Sequence, residues 1–278
     1  MSLVERQTHQ QSELPRASAG PFCVFVASGD SRRDIFEIVF QNAERIWHDC
    51  YWPRYVGFTS KHPNLYGFAT VAAKNPSDWR GELGEQLDQL SPDIRYVLLI
   101  IEDFFFTSPI DAKKLRAVAD YILKHDLAYV RLVPVARNLF GRAVEFIRRK
   151  IDKRSFRILK PSEPYYSSVE VAIWRRDYLR QLLRVPGSIW EFENMVGPER
   201  HYAVWEPIAH YRALVSRGKW NYSARRLLVQ QGYSLNGSTR PHLSLASLPR
   251  RMRTRIIFSV FGYLSYRLRR SLNRLPRK

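Results

Sequence analysis

Tyr96-Val-Leu-Leu-Ile-Ile101 is an unbroken apolar run, short and rich in branched aliphatics. That pattern predicts a strand covered on both faces. Phe22-Cys-Val-Phe-Val-Ala27 is a second such run, Tyr55-Val-Gly-Phe58 a shorter third, and Tyr129-Val-Arg-Leu-Val133 a fourth, stopped by Pro134. Helical spacing lies between them. From about Asp34 to about Trp47, Ile35, Ile38, Val39 and Ile46 share one side. Ser77 or Asp78 caps a helix through Leu83, Leu87 and Leu90, with Pro92 near its end. Asp111 starts an amphipathic helix through Leu115, Val118, Ala119 and Ile122. Strand and helix thus alternate, which predicts an α/β domain with a mainly parallel, Rossmann-like sheet and helices on both faces. Further on, 168–173 reads as a strand and 174–183 as a helix with Leu179, Leu182 and Leu183 inward, broken by Pro186-Gly187. Phe140 to Ile151 has helical spacing with many Arg and Lys.

Charge divides the chain of 278 residues unevenly. It carries 45 Lys and Arg against 26 Asp and Glu, a net charge of +19. Glu206 is the last acid, and 16 of the basic residues follow it; the preceding part keeps 29 against 26 and is close to neutral. The basicity therefore belongs to the C-terminal quarter. Ile257, Phe261, Leu264, Leu268 and Leu272 fall on one helical face there. Arg250, Arg251, Arg253 and Arg255 precede that face; Arg267, Arg269, Arg270 and Arg274 flank its end. The uncharged stretch from Ile256 to Tyr266 is 11 residues, too short to cross a bilayer core of ~30 Å. A basic amphipathic helix of this kind lies in an anionic membrane interface. The alternative is a helix packed on the body with a solvated basic rim. Expected units are a disordered leader over 1–20, a catalytic domain over 21–245 and a membrane-associating tail over 246–278. Cys23 and Cys50 form no metal spacing and no disulfide framework, which suits a reducing compartment. The expected location is the cytoplasm, peripheral on the inner face of the membrane.

Candidate chemistry begins where the central strand ends. Glu102 and Asp103 follow Ile101 directly, with Phe104-Phe-Phe106 beyond. Ligands of α/β sheets bind at the carboxyl ends of the strands. Two acids there suit a divalent cation, Mn or Mg, that in turn holds a diphosphate; as an alternative they cap the next element. Ser28 and Asp30 follow the run Phe22–Ala27, and Thr59 and Ser60 follow Tyr55–Phe58. These four suit the base and ribose of a nucleotide. Glu191 or Glu193, beside Trp190 and Phe192, suits a general base with a raised pKa. Arg131 and Lys219 are candidates for phosphate or acceptor contact, and Ser168 and Trp190 are weaker acceptor candidates.

Three segments together resemble bacterial GT-A-type glycosyltransferases that build surface polysaccharides such as lipopolysaccharide and capsule. They are Ala27-Ser-Gly-Asp-Ser-Arg-Arg-Asp34, 98–111 around Glu102-Asp103, and 166–179 running on to Ser188-Ile-Trp-Glu-Phe-Glu193; Arg217-Gly-Lys-Trp220 also fits. The resemblance covers roughly 22–242. It implies a GT-A-like fold, with metal and donor diphosphate at Glu102 and Asp103. It also implies activation of the acceptor hydroxyl by Glu191 or Glu193. Glu102 departs from the more usual pair of aspartates. One base and one displacement imply inversion at the anomeric carbon. The implied partners are a nucleotide-sugar donor, a glycan or glycolipid acceptor and an anionic membrane surface, with no nucleic acid. Two other readings remain: nucleic-acid binding through the basic quarter, against which stands the lack of zinc, helix-turn-helix or ribonucleoprotein motifs, and a noncatalytic membrane scaffold.

Overall fold

The structure is a computed structural model. It describes residues 20–47, 51–60, 67–74, 78–134, 155–216, 218–233 and 240–241. The leader, the tail over 246–278 with its membrane-facing residues, the helical pattern at 140–151, Cys50 and Ser77 lie outside the described residues.

The strands are β1 (Phe22–Ala27), β2 (Arg54–Phe58), β3 (Ala69–Ala72), β4 (Tyr96–Ile101), β5 (Phe104–Phe106), β6 (Tyr129–Arg131), β7 (Arg157–Ile158), β8 (Ala172–Arg175), β9 (His201–Ala203), β10 (Tyr211–Ala213), β11 (Val215–Ser216) and β12 (Lys219–Trp220). The helices are α1 (Arg33–Ile46), α2 (Trp79–Asp88), α3 (Ala112–His125), α4 (Arg176–Leu183), α5 (Ile189–Phe192) and α6 (Tyr222–Gln230); Asp30–Arg32 forms a 3-10 turn before α1.

Eight strands make one sheet in the order β3-β2-β1-β4-β8-β6-β9-β7. β3, β2, β1 and β4 pair in parallel. β8 runs antiparallel between β4 and β6, β9 is parallel to β6, and β7 closes the edge antiparallel. One face is covered by α1, α3 and α6, whose Ile35, Phe36, Leu115, Ile122, Ala224 and Leu228 pack on Val24, Leu98 and Ile100. The other carries α2, α4 and α5, with Leu83, Leu87, Leu179 and Phe192 on Phe25, Val97, Leu99 and Trp174. The α/β fold with helices on both faces is thus as the apolar pattern predicts.

Local signals set the boundaries. The Asp78 side chain accepts from the Gly81 N–H and starts α2; Asp111 does the same for α3 through Lys114. Gly57 in β2 is a packing requirement. A Cβ there would lie 2.0 Å from Gln86 Oε1 on α2, whose amide donates to the Phe58 carbonyl at 2.9 Å.

Four expectations need correction. The strand expected over 129–133 ends at Arg131, and the helix expected through Leu90 ends at Asp88. The strand expected over 168–173 is β8, which begins only at Ala172, and Trp174 belongs to it rather than to the following helix. Register explains the shift: Trp174 pairs across to Val97 on one side and Tyr129 on the other, and its ring is fully buried. Residues 168–171 are irregular because the Ser168 hydroxyl takes the Glu170 N–H out of the ladder.

Candidate functional site

The chain runs β1, β2, β3 in one direction across the sheet and then returns to place β4 on the opposite side of β1. The carboxyl ends of β1 and β4 therefore flank the point where strand order reverses, the place where open α/β sheets form a crevice. Ser28, Asp30 and Arg32 leave β1 there, and Glu102 and Asp103 leave β4. Thr59 and Ser60 leave β2 beside them. The Ser60 hydroxyl donates to Asp30 at 2.5 Å, tying the two strand ends together. Ser28 Oγ is a buried hydroxyl with no hydrogen-bond partner among the described residues. Such an orphan at a crevice suits a ligand atom.

The carboxylate pair is held by backbone. The Glu102 N–H donates to the Ala27 carbonyl at 3.2 Å, and the Asp103 carbonyl accepts from Leu214 at 2.7 Å. β5 then pairs antiparallel with β10, which fixes the segment after the acids. Glu102 is buried and lies 3.4 Å from Arg32 Nε. Burial, together with the Asp103 charge, pushes its carboxyl up to about 7, against the pull of Arg32. Burial pushes Asp103 up to about 6, opposed by Arg32 and the Val215 N–H. Arg240, gripped by Asp34 at 2.8 and 3.0 Å, also acts on both acids.

Two adjacent carboxylates, one buried and one half-buried, both with raised proton affinity, suit a cation. Among the described residues no three His, Cys, Asp or Glu side chains converge as a metal-holding group. The pair fits a Mg²⁺- or Mn²⁺-type ion that draws its remaining ligands from phosphate and water, because such ions are commonly bound by one or two carboxylates plus substrate phosphates.

A second acidic cluster forms farther along the same carboxyl edge. Arg131 ends β6 and is 3% exposed; its guanidinium meets Glu170 at 2.7 Å. Burial disfavours that charge, yet Glu170 overrides it and the guanidinium stays firmly protonated. Arg131 thus has a half-buried carboxylate partner. Glu193, just after α5, is buried, and its Oε1 accepts from Ser168 Oγ at 3.2 Å. Burial, then the nearby Glu170, pushes Glu193 up to about 7.

Glu191 has different surroundings. Its Oε2 accepts from the Ser188 N–H at 2.7 Å and from the Ser188 hydroxyl at 2.9 Å, completing a capping box on α5. It is exposed, and these bonds hold its carboxyl below the usual range. Trp190 is 64% exposed on the same short helix. Lys219 is exposed on the β11–β12 hairpin, which also carries the Val215 N–H to Asp103.

The structure therefore gathers Ser28, Asp30, Thr59, Ser60, Glu102 and Asp103 at one end of the edge, and Arg131, Ser168 and Glu193 at the other. Sequence reading missed Glu170, Arg32 and Arg240. The lone Arg131 within an apolar strand was the available signal for Glu170, since a buried guanidinium needs a carboxylate.

No family model matches the chain, and no curated protein sequence matches it. Among solved structures it is similar to the mannosyltransferase PcManGT from Pyrobaculum calidifontis in complex with GDP-Man and Mn²⁺, at 15% identity and a TM-score of 0.44, covering 79% of this chain and 63% of that one. It is also similar to TarS of S. aureus at 12% identity and a TM-score of 0.43, over 71% of this chain and 37% of that one. A third is 4-diphosphocytidyl-2C-methyl-D-erythritol synthase from Anaerococcus prevotii, at 11% identity and 0.38, over 70% and 88%. The chain spans less than two thirds of the first two. Likenesses this distant bear on neither chemistry nor partner.

Proposed function

We propose that the chain is a glycosyltransferase that moves a sugar from a nucleotide-sugar donor to a glycan acceptor. The observation that carries this reading is the Glu102–Asp103 pair at the reversal point of the sheet, with the buried Glu193 farther along the same edge. The first suits a donor diphosphate and the second a general base. Asp103 and Glu102 would hold the divalent cation, which supplies positive charge to the departing diphosphate when bound. Ser28, Asp30, Thr59 and Ser60 frame the nucleoside.

Glu193 is the better base of the two glutamates. A base works best with a pKa near the operating pH. Glu193 meets that condition at about 7, whereas Glu191 is occupied by its cap. Glu193 takes the proton of the acceptor hydroxyl, whose oxygen bonds to the anomeric carbon as the carbon–oxygen bond to diphosphate breaks. One displacement inverts the anomeric configuration. Trp190, exposed close to this base, offers an apolar face to an acceptor ring. A lipid-linked acceptor for surface polysaccharide, reached by a protein held on the cytoplasmic leaflet through the tail, completes the reading.

The test is release of nucleoside diphosphate from a panel of nucleotide-sugars with glycan or glycolipid acceptors. Transfer that falls at least ~10²-fold in Glu193→Gln, with Glu191→Gln close to wild type, supports the assignment. Undiminished transfer in Glu193→Gln removes it.

A further inference from the structure

The catalytic reading uses Glu193 but leaves Glu170 and Arg131 without a role, although both are costly to bury. Glu170 lies just before β8 and Arg131 on β6, and their pairing at 2.7 Å joins two neighbouring strands. Arg131 is almost fully buried, and its Nε has no partner among the described residues. An arginine of this kind gains little for stability over an apolar residue of similar volume.

The geometry shows what the pair holds. The Glu170 N–H donates to Ser168 Oγ at 3.2 Å, and that hydroxyl donates its proton to Glu193 Oε1 at 3.2 Å. The serine therefore has one hydrogen-bond direction fixed by Glu170 and spends its proton on Glu193. The Ser167 N–H binds the Glu193 carbonyl at 3.0 Å, fixing the backbone on the same side. We propose that Glu170, clamped by Arg131, is a positioning residue that orients Ser168 and through it sets one oxygen of Glu193, leaving the other for an acceptor hydroxyl. This rests on the glycosyltransferase reading above.

The ionisable groups that face Glu193 are Glu170 before β8 and Arg131 and Tyr129 on β6; Arg80 of α2 lies over the neighbouring Phe192 ring, 5.4 Å from its centroid. Glu170 raises the proton affinity of Glu193, while Ser168 and Arg131 lower it. Neutralising Glu170 and removing the serine hydroxyl therefore act in opposite senses on the same carboxyl.

The experiment follows the Glu193 carboxyl by ¹³C NMR in the full chain labelled on glutamate, with Glu193→Gln identifying its resonance. It is paired with the pH dependence of sugar transfer. Glu170→Gln keeps the shape and removes the charge, so the Glu193 midpoint and the acid limb of transfer both move down by about one pH unit. Ser168→Ala moves both up. A midpoint unchanged in both folded variants overturns the proposal, as does a loss of transfer equal at every pH. If Glu170→Gln does not fold, Glu170→Asp, which keeps the charge but shortens the reach to Arg131, decides: a Glu193 midpoint and acid limb unchanged in that variant overturn the proposal. A midpoint that moves in a protein that transfers no sugar keeps the coupling and removes only the glycosyltransferase reading.

Discussion

At the scale of single residues, the ionisable side chains at the carboxyl edge are held against their own preference. Glu102 has a folded-state pKa near 7, well above an unfolded glutamate. The fold therefore binds more protons than the unfolded chain, and this contribution is present at acid pH and lost as pH rises through about 7. Glu102→Gln is expected to be more stable than wild type at pH 8 by about 1–3 kcal/mol by urea denaturation, with no such gain at pH 4. A variant less stable at both pH values would show that the Arg32 contact outweighs desolvation. His201 has the opposite sign. It is fully buried, with one ring nitrogen at 2.9 Å from the Tyr178 hydroxyl and the other at 2.9 Å from the Tyr166 carbonyl. Burial holds it down at about 4. Its neutral form favours the fold above the unfolded pKa of ~6.5, and that benefit drains away as pH falls toward 4. The wild-type advantage over His201→Gln should shrink by ~3 kcal/mol between pH 7 and pH 4. An advantage that stays constant would mean that the ring titrates in the fold as it does in the unfolded chain.

At the scale of elements, the sheet register decides which residues meet. Gly57 allows α2 to approach β2 closely enough for Gln86 to reach the Phe58 carbonyl. Gly57→Ala forces that amide away from its buried acceptor and should cost about 1–3 kcal/mol in urea denaturation; a neutral effect would mean that α2 shifts freely. Legibility follows the same logic. β1 and β4 were readable from their apolar runs to the residue, because a strand covered on both faces has no polar position to blur its ends. Asp78 and Asp111 were readable because a cap is a local bond. Trp174 was not, since the choice between strand and helix there is made by β4 and β6 on either side. β5, β7 and β9 to β12 have two or three residues each, too few to show a period. The Arg131–Glu170 and Arg32–Glu102 pairs join residues distant in sequence. The acids at the end of β4 were legible as candidates because the apolar strand before them fixed their place.

For the molecule as a whole, the excess positive charge and the two acidic clusters are separated along the chain. The acids that form both clusters precede Glu206, and the part up to it is nearly neutral; the excess positive charge follows. Removing 246–278 should abolish sedimentation with vesicles containing anionic lipid while leaving the unfolding midpoint unchanged, and in the full chain rising salt should weaken that binding. Binding that survives the deletion would place the membrane contact in the body. The proposed glycosyl transfer depends first on a donor site at the β1–β4 reversal. Calorimetric titration of nucleoside diphosphates into the full chain, with and without Mn²⁺, is compared between wild type and Asp103→Asn. The account predicts binding of one nucleoside diphosphate that is strengthened by the cation and lost in Asp103→Asn. Binding of equal strength in the variant, or no binding of any nucleoside diphosphate to wild type, would contradict it.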